Sequence, residues 1–268
     1  MIRRIALASA LAVAAIAAPA IAAGPFDAAV GGAWRSPANK ARDAYRHPAQ
    51  TLKFLGVKPG QTVVEISPGG GWYTEILAPA MKGNGKYVAG LANPLASVNA
   101  AKSVENFKTK FGDKAIYGDI GIGMFGKTAE GGVADIVEPG SADVVLTFRN
   151  VHNWHMSSFD QEAFNAFFKA LKPGGTLGVV EHRLPESRPD ADMKTSGYMK
   201  VSYVKMLAAK AGFKLVGESA VNANPKDKAN YPKGVWTLPP NFAEGETDKA
   251  KYAAVGESDR MTLKFMKP

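Results

Sequence analysis

The chain has 268 residues, 46% hydrophobic and 21% charged, with 28 Gly, 17 Pro and no Cys. That composition excludes wholesale disorder, collagen-like repeats and a polytopic membrane protein. The missing cysteine also excludes thiol nucleophiles, Cys-ligated zinc, iron–sulfur clusters and disulfides. The formal charge of +9 comes from lysines scattered from Lys40 to Lys267, which reads as a solvated basic surface and not as a nucleic-acid footprint.

Residues 1–22 read as a signal peptide. Arg3 and Arg4 precede the apolar run Ile5 to Ala18, Pro19 breaks it, and Ala20-Ile21-Ala22 is a small-x-small cleavage site. A cut after Ala22 predicts a periplasmic protein beginning at Ala23, with no stable membrane span. Losing the two arginines lowers the charge by two, to +7. No cysteine follows the run, so lipid attachment is excluded.

Residues 23–58 are expected as an N-terminal arm and cap helices, and 59–268 as one α/β domain. Lys40 to Leu55 is helical in two pieces, interrupted at His47-Pro48. Gln61 to Ile66 is a short apolar strand ending in the turn Pro68-Gly69-Gly70-Gly71, and Trp72 to Ala80 is a helix. Strand 86–91, helix 97–111 and a third strand at Ala115-Ile116-Tyr117 follow, then a glycine-rich loop over 118–140. Asp143 to Phe148 is a buried strand, Phe159 to Leu171 a helix, and Lys172-Pro-Gly-Gly175 a turn into strand 176–181. Helix 203–211, a sixth strand at 213–218, an irregular excursion over 222–248 and a closing strand at 260–265 complete the chain. Alternating strands and helices predict a mostly parallel sheet covered on both faces. The two final strands, with no helix between them, predict a terminal antiparallel pair.

The most informative stretch is Val63-Val-Glu-Ile-Ser-Pro-Gly-Gly-Gly71. A strand with an acidic residue, then a glycine turn into a helix, is how α/β folds bind a nucleoside-bearing cofactor. Glycines let the backbone approach the ligand, and the helix start offers free N–H groups. A dinucleotide site wants a third glycine where this chain has Thr74, which argues against a nicotinamide-dependent oxidoreductase.

This stretch resembles the first motif of class I S-adenosylmethionine (SAM)-dependent methyltransferases. Gly118-Asp119, the segment Asp143 to His152, and Ala170-Leu-Lys-Pro-Gly-Gly-Thr-Leu177 resemble later motifs of that family in order and spacing. Arg42 to Pro48, Pro68 to Thr74, Phe148 to Trp154 and Gly256 to Met261 are similar to segments of exported bacterial predicted methyltransferases. The resemblance implies a Rossmann-like seven-stranded class I methyltransferase sheet with helices on both faces. It implies SAM as cofactor, held by Glu65, Gly69, Gly70 and Gly71, with Asp119 at the adenine. The family's ribose-binding acid after the second strand is replaced here by Asn93.

Methyl transfer needs alignment, and a base where the acceptor must lose a proton. His152 is the first candidate base, with Asn150 orienting acceptor or cofactor and His182 as the second candidate. The expected acceptor is a small molecule or an envelope component. The alternative is a non-catalytic periplasmic small-ligand-binding protein on the same fold, favoured by the missing second-strand acid. His152 and His155 with Glu181 imitate a metal site, but their spacing is too close for one clean helical face, and no metal is expected. Gly121 to Thr128 fits a phosphate-loop pattern on paper, yet Ala129-Glu130-Gly131-Gly132 is poor helix sequence, so no triphosphatase is expected.

Overall fold

The computed structural model describes residues 24–128 and 133–268. The expected signal peptide and the Ala129–Gly132 stretch lie outside the described residues.

Four short helices lead in: α1 (Asp27–Val30), α2 (Pro37–Lys40), α3 (Asp43–Arg46) and α4 (Pro48–Leu55). Ser36 caps α2 by accepting from the Asn39 N–H, with Pro37 in the first turn. The break foreseen at His47-Pro48 is a left-handed His47, φ 41°, which ends α3 and starts α4. Next come β1 (Thr62–Ile66), α5 (Thr74–Met81), β2 (Lys86–Ala92), α6 (Val98–Lys110), α7 (Lys114–Tyr117) and β3 (Gly121–Phe125). The second half runs β4 (Ala142–Phe148), α8 (Val151–Met156), α9 (Asp160–Ala170), β5 (Leu171–Leu184), β6 (Met199–Lys200), α10 (Val201–Lys210), β7 (Lys214–Ser219), α11 (Lys249–Val255) and β8 (Arg260–Met266).

The sheet order is β3-β2-β1-β4-β5-β8-β7, with the two-residue β6 alongside β5. β3 to β5 pair in parallel, and β8 runs antiparallel to both β5 and β7. Alternation along the central strands feeds two cores. Val64, Ile66 and Val145 pack into one with Phe164 and Phe167, while Val63, Val144 and Leu146 pack into the other with Leu52, Ile76 and Leu77. That division is what helices on both faces of a parallel sheet require. The sheet is mostly parallel with a terminal antiparallel pair, as expected, but the last two strands are not helix-free: α11 intervenes between β7 and β8, because the excursion over 222–248 ends in a helical turn at Lys249–Val255.

The third strand is a correction. Ala115-Ile116-Tyr117 lies in the helix α7, because the Asp113 side chain accepts from the Ala115 N–H at 2.8 Å and caps a helical turn. The strand itself, β3, falls in the stretch expected as a loop. Its glycines are needed there, since a Cβ on Gly123 would run into the Ile136 carbonyl. The phosphate-loop pattern thus begins inside a strand. The Lys172–Gly175 turn is likewise absorbed into β5, beside a register shift between Ala142 and Val144.

Candidate functional site

β1 and β4 are neighbours at the point where the strand order reverses, the place where open parallel sheets form a crevice at their carboxyl ends. Both strands leave that rim through left-handed residues that are not glycine, Ser67 (φ 50°) after β1 and Arg149 (φ 62°) after β4. Such a conformation costs an L-residue about 1–2 kcal/mol, and it turns both chains sharply around a cavity of about 340 Å³. The glycine turn lines one wall with Gly69 and Gly70, and Arg149, Asn150, His152 and His182 line another. Arg42 reaches in from the N-terminal segment, while Trp236 and Asn241 come from the excursion before α11.

His152 lies in the first turn of α8, and its Nδ1 is 3.0 Å from Glu181 Oε1. The Glu181 carboxylate also accepts the backbone N–H groups of His152 (3.3 Å) and His182 (2.7 Å). A carboxylate accepts only, so the proton of neutral His152 sits on Nδ1 and the lone pair on Nε2. His182 Nδ1 pairs with Ser258 Oγ at 2.5 Å. Burial pulls the His182 pKa well down, helped by His152 and the nearby Arg149, so this ring is neutral. Asn150 donates through Nδ2 to the carbonyls of Ile66 (3.1 Å) and Ser67 (3.3 Å), tying the end of β1 to the end of β4.

Four residues expected around a cofactor are not on the cavity wall. Glu65 is in the core, where its Oε2 accepts from Tyr87 Oη (2.6 Å) and Thr74 Oγ1 (3.1 Å). Burial raises its pKa to about 7, against those two bonds. Gly71, φ 76°, has no room for a side chain because the Phe111 ring fills that space. Asn93 does follow β2, but its Oδ1 accepts from the Leu95 N–H at 2.9 Å in a local turn. Asp119 is a plain correction. It precedes β3 at the opposite end of the sheet, pairs with Lys114 at 2.6 Å and is exposed. The strand expected at 115–117 forms six residues later, at 121–125, which leaves Asp119 before the strand and at the other rim.

Trp72 lines the cavity, with the Arg46 guanidinium 4.7 Å from its ring centroid. Tyr73 stacks on Phe148, whereas Trp154 belongs to the core with Phe125 and Phe167. His155 pairs with Asp160 at 2.7 Å, beside Tyr203 and away from the cavity. A tighter trio than the one weighed from sequence is His152, Glu181 and His182, whose potential ligand atoms lie within 4.8 Å of one another.

The sequence reading assigned no role to the charged residues that dominate this wall. Glu257 Oε1 meets Arg42 Nε at 2.5 Å, and its Oε2 meets Arg46 Nε at 3.0 Å and an Arg260 guanidinium nitrogen at 3.1 Å. Burial alone would raise the Glu257 pKa, but the three arginines hold it at about 2. The signal was present: Arg42 to Pro48, Phe148 to Trp154 and Gly256 to Met261 had each drawn a resemblance, and they converge here.

No family model and no curated protein matches the sequence. Solved structures do match over most of its length. A SAM-dependent methyltransferase from Aquifex aeolicus aligns with a TM-score of 0.54 at 14% identity, covering 87% of this chain and 94% of the other. The [4+2]-cyclase SpnF aligns at 0.55 and 13% identity, over 84% and 81%. The trans-methyltransferase CalH, in complex with S-adenosylhomocysteine (SAH), aligns at 0.50 and 15% identity, over 86% and 59%. The likeness establishes the class I methyltransferase fold. A cyclase among the matches shows that this fold alone does not fix the reaction.

Proposed function

We propose that this protein is a SAM-dependent methyltransferase whose acceptor is a small molecule or an envelope component. The observation that carries the proposal is an open glycine turn at the end of β1, facing a histidine aligned by a buried carboxylate. A Cβ on Gly69 or Gly70 would meet nothing within 4 Å, so bare backbone faces the cavity and leaves room for a ligand. These residues fit the cofactor. Gly69 and Gly70 would hold it by close backbone approach, with no carboxylate available after β2 for the ribose. When bound, SAM supplies a methyl group on a sulfonium, which needs no activation beyond alignment with the acceptor atom.

His152 Nε2 takes the acceptor's proton where the acceptor carries one, and Glu181 stabilises the imidazolium that results. Asn150 fixes the distance between the glycine turn and this base. Trp72 and Trp236 keep water from the reacting end.

Calorimetric titration of the purified protein with SAM and SAH tests the reading. Micromolar binding is expected, lost in Gly69→Arg and nearly unchanged in His152→Ala. The latter should lower methyl transfer by about 10²–10⁴-fold. No binding at millimolar ligand by a folded sample sinks the reading in favour of a binding protein for another ligand.

The leader-like residues 1–22 support export to the periplasm. Amino-terminal sequencing of the protein from a periplasmic extract should then read Ala23-Gly24-Pro25, and an intact Met1 would refute it.

A further inference from the structure

Four guanidiniums, those of Arg42, Arg46, Arg149 and Arg260, gather around the single carboxylate of Glu257, and of the four Arg42 and Arg149 line the cavity with it. Two further acids lie near the cluster: Asp259 is paired with Arg183, and the oxygens of Glu181 are taken by His152 and by two backbone N–H groups. The cluster therefore carries two positive charges in excess. Its donors are also incompletely used. Arg42 Nη2 and Arg46 Nη2 are buried without an acceptor, although Arg46 is only 2% exposed. The Arg149 guanidinium has no hydrogen-bond or ion-pair partner among the described residues, while lying close to Arg260, Glu257 and Arg42.

Buried donors without acceptors and uncompensated charge each destabilise a fold. A chain that also holds Arg149 in a left-handed conformation retains strain there as well. The orphan donors and the excess charge are both relieved by one kind of occupant, an oxyanion, and the left-handed turn at Arg149 is what holds its side chain there to meet it. A metal ion on His152, Glu181 and His182 would add charge of the wrong sign beside Arg149.

We propose that Arg149 and Arg42 form an oxyanion subsite that binds a carboxylate or phosphate group of the methyl acceptor. The proposal rests on the methyltransferase reading for the word acceptor, and on the orphan donors alone for the anion. The subsite joins the residue after β4 to the N-terminal segment before α3, on the wall of the cavity that the glycine turn also lines. An anion there offsets the excess charge that would otherwise oppose a sulfonium in the same cavity. The planar forks of two arginines suit a bidentate oxyanion. An acceptor without an acidic group leaves them unpaired.

The test is calorimetry with inorganic phosphate and with succinate, on wild type, Arg149→Met and Arg149→Lys, each first shown to be folded by circular dichroism. Wild type should bind at least one of the two anions, with affinity falling steeply as chloride is raised. Binding should weaken about tenfold in Arg149→Met and recover in part in Arg149→Lys. SAH affinity should stay unchanged in Arg149→Met. Equal loss of SAH and anion binding in that variant, with the two competing in wild type, overturns the acceptor assignment in favour of the cofactor's own carboxylate. Failure of both anions to bind folded wild type overturns the subsite itself. So does tight Zn²⁺ binding lost in His152→Ala with no anion binding. Anion binding without SAH binding would refute the methyltransferase reading and leave the oxyanion site standing.

Discussion

Glu65 and Glu257 are both buried carboxyl groups, 2% and 4% exposed, yet they sit at opposite ends of the carboxylate range. Glu65, inside β1, has only the hydroxyls of Tyr87 and Thr74 for company, and burial raises its pKa to about 7. Glu257, before β8, is also pushed up by burial, but Arg46, Arg260 and Arg42 bring it down to about 2. The β1–β2 half of the sheet is a neutral core that happens to hold an acid. The β4–β8 half is a charged cluster held together by one. Burial is common to both, so the nature of the neighbours decides the protonation state.

The largest effect expected from this contrast is at Glu257. Glu257→Gln leaves three arginines without their shared acid and should cost about 3–5 kcal/mol in a urea melt at pH 7. A folded pKa below the unfolded value means that this stabilisation is present above about pH 4.5 and fades as pH falls towards 2. The gap between variant and wild type should close over that interval, and a gap independent of pH would refute the assignment. Next come the two glycines. Gly71→Ala collides with Phe111 at a left-handed residue and should cost about 2–3 kcal/mol. Gly69→Ala, with open space around it, should cost only about 1 kcal/mol of backbone strain. Equal costs would break the distinction between a packed turn and an open one.

Glu65→Gln should act with the opposite sign, as a stabilisation that appears with rising pH. The folded pKa lies above the unfolded one, so the wild type loses stability as pH rises from about 4.5 to 7. The neutral amide removes that loss. The variant should match wild type near pH 4 and exceed it by about 3 kcal/mol at pH 8. A variant less stable at both pH values would show that the carboxyl is required as such.

The central strands were legible because they are buried on both faces and read as continuous apolar runs, as in Val63-Val64 and Val144-Val145-Leu146. β3 was hidden for the converse reason. It is an edge strand with Ile122 and Met124 exposed, and its glycines serve a close approach that only the folded chain reveals. In the site, Gly69, Gly70, Asn150, His152 and His182 do come to one cavity, since all follow or end strands at one rim. The arginine cluster stayed out of reach of local pattern. Arg42 and Glu257 are 215 residues apart, and no periodicity links the two.

That separation has a bearing on how the protein is born. The segment before β1 and the segment before β8 are stitched by one carboxylate, so the cavity wall is finished only once the chain through Glu257 has emerged. Contacts this distant in sequence close late, after the parallel strands have found their order. A nascent chain lacking its final dozen residues would carry the glycine turn and His152 but neither Glu257 nor β8. Completion of that wall is thereby postponed until β8 has been made, and a chain cut before Glu257 would lack it altogether.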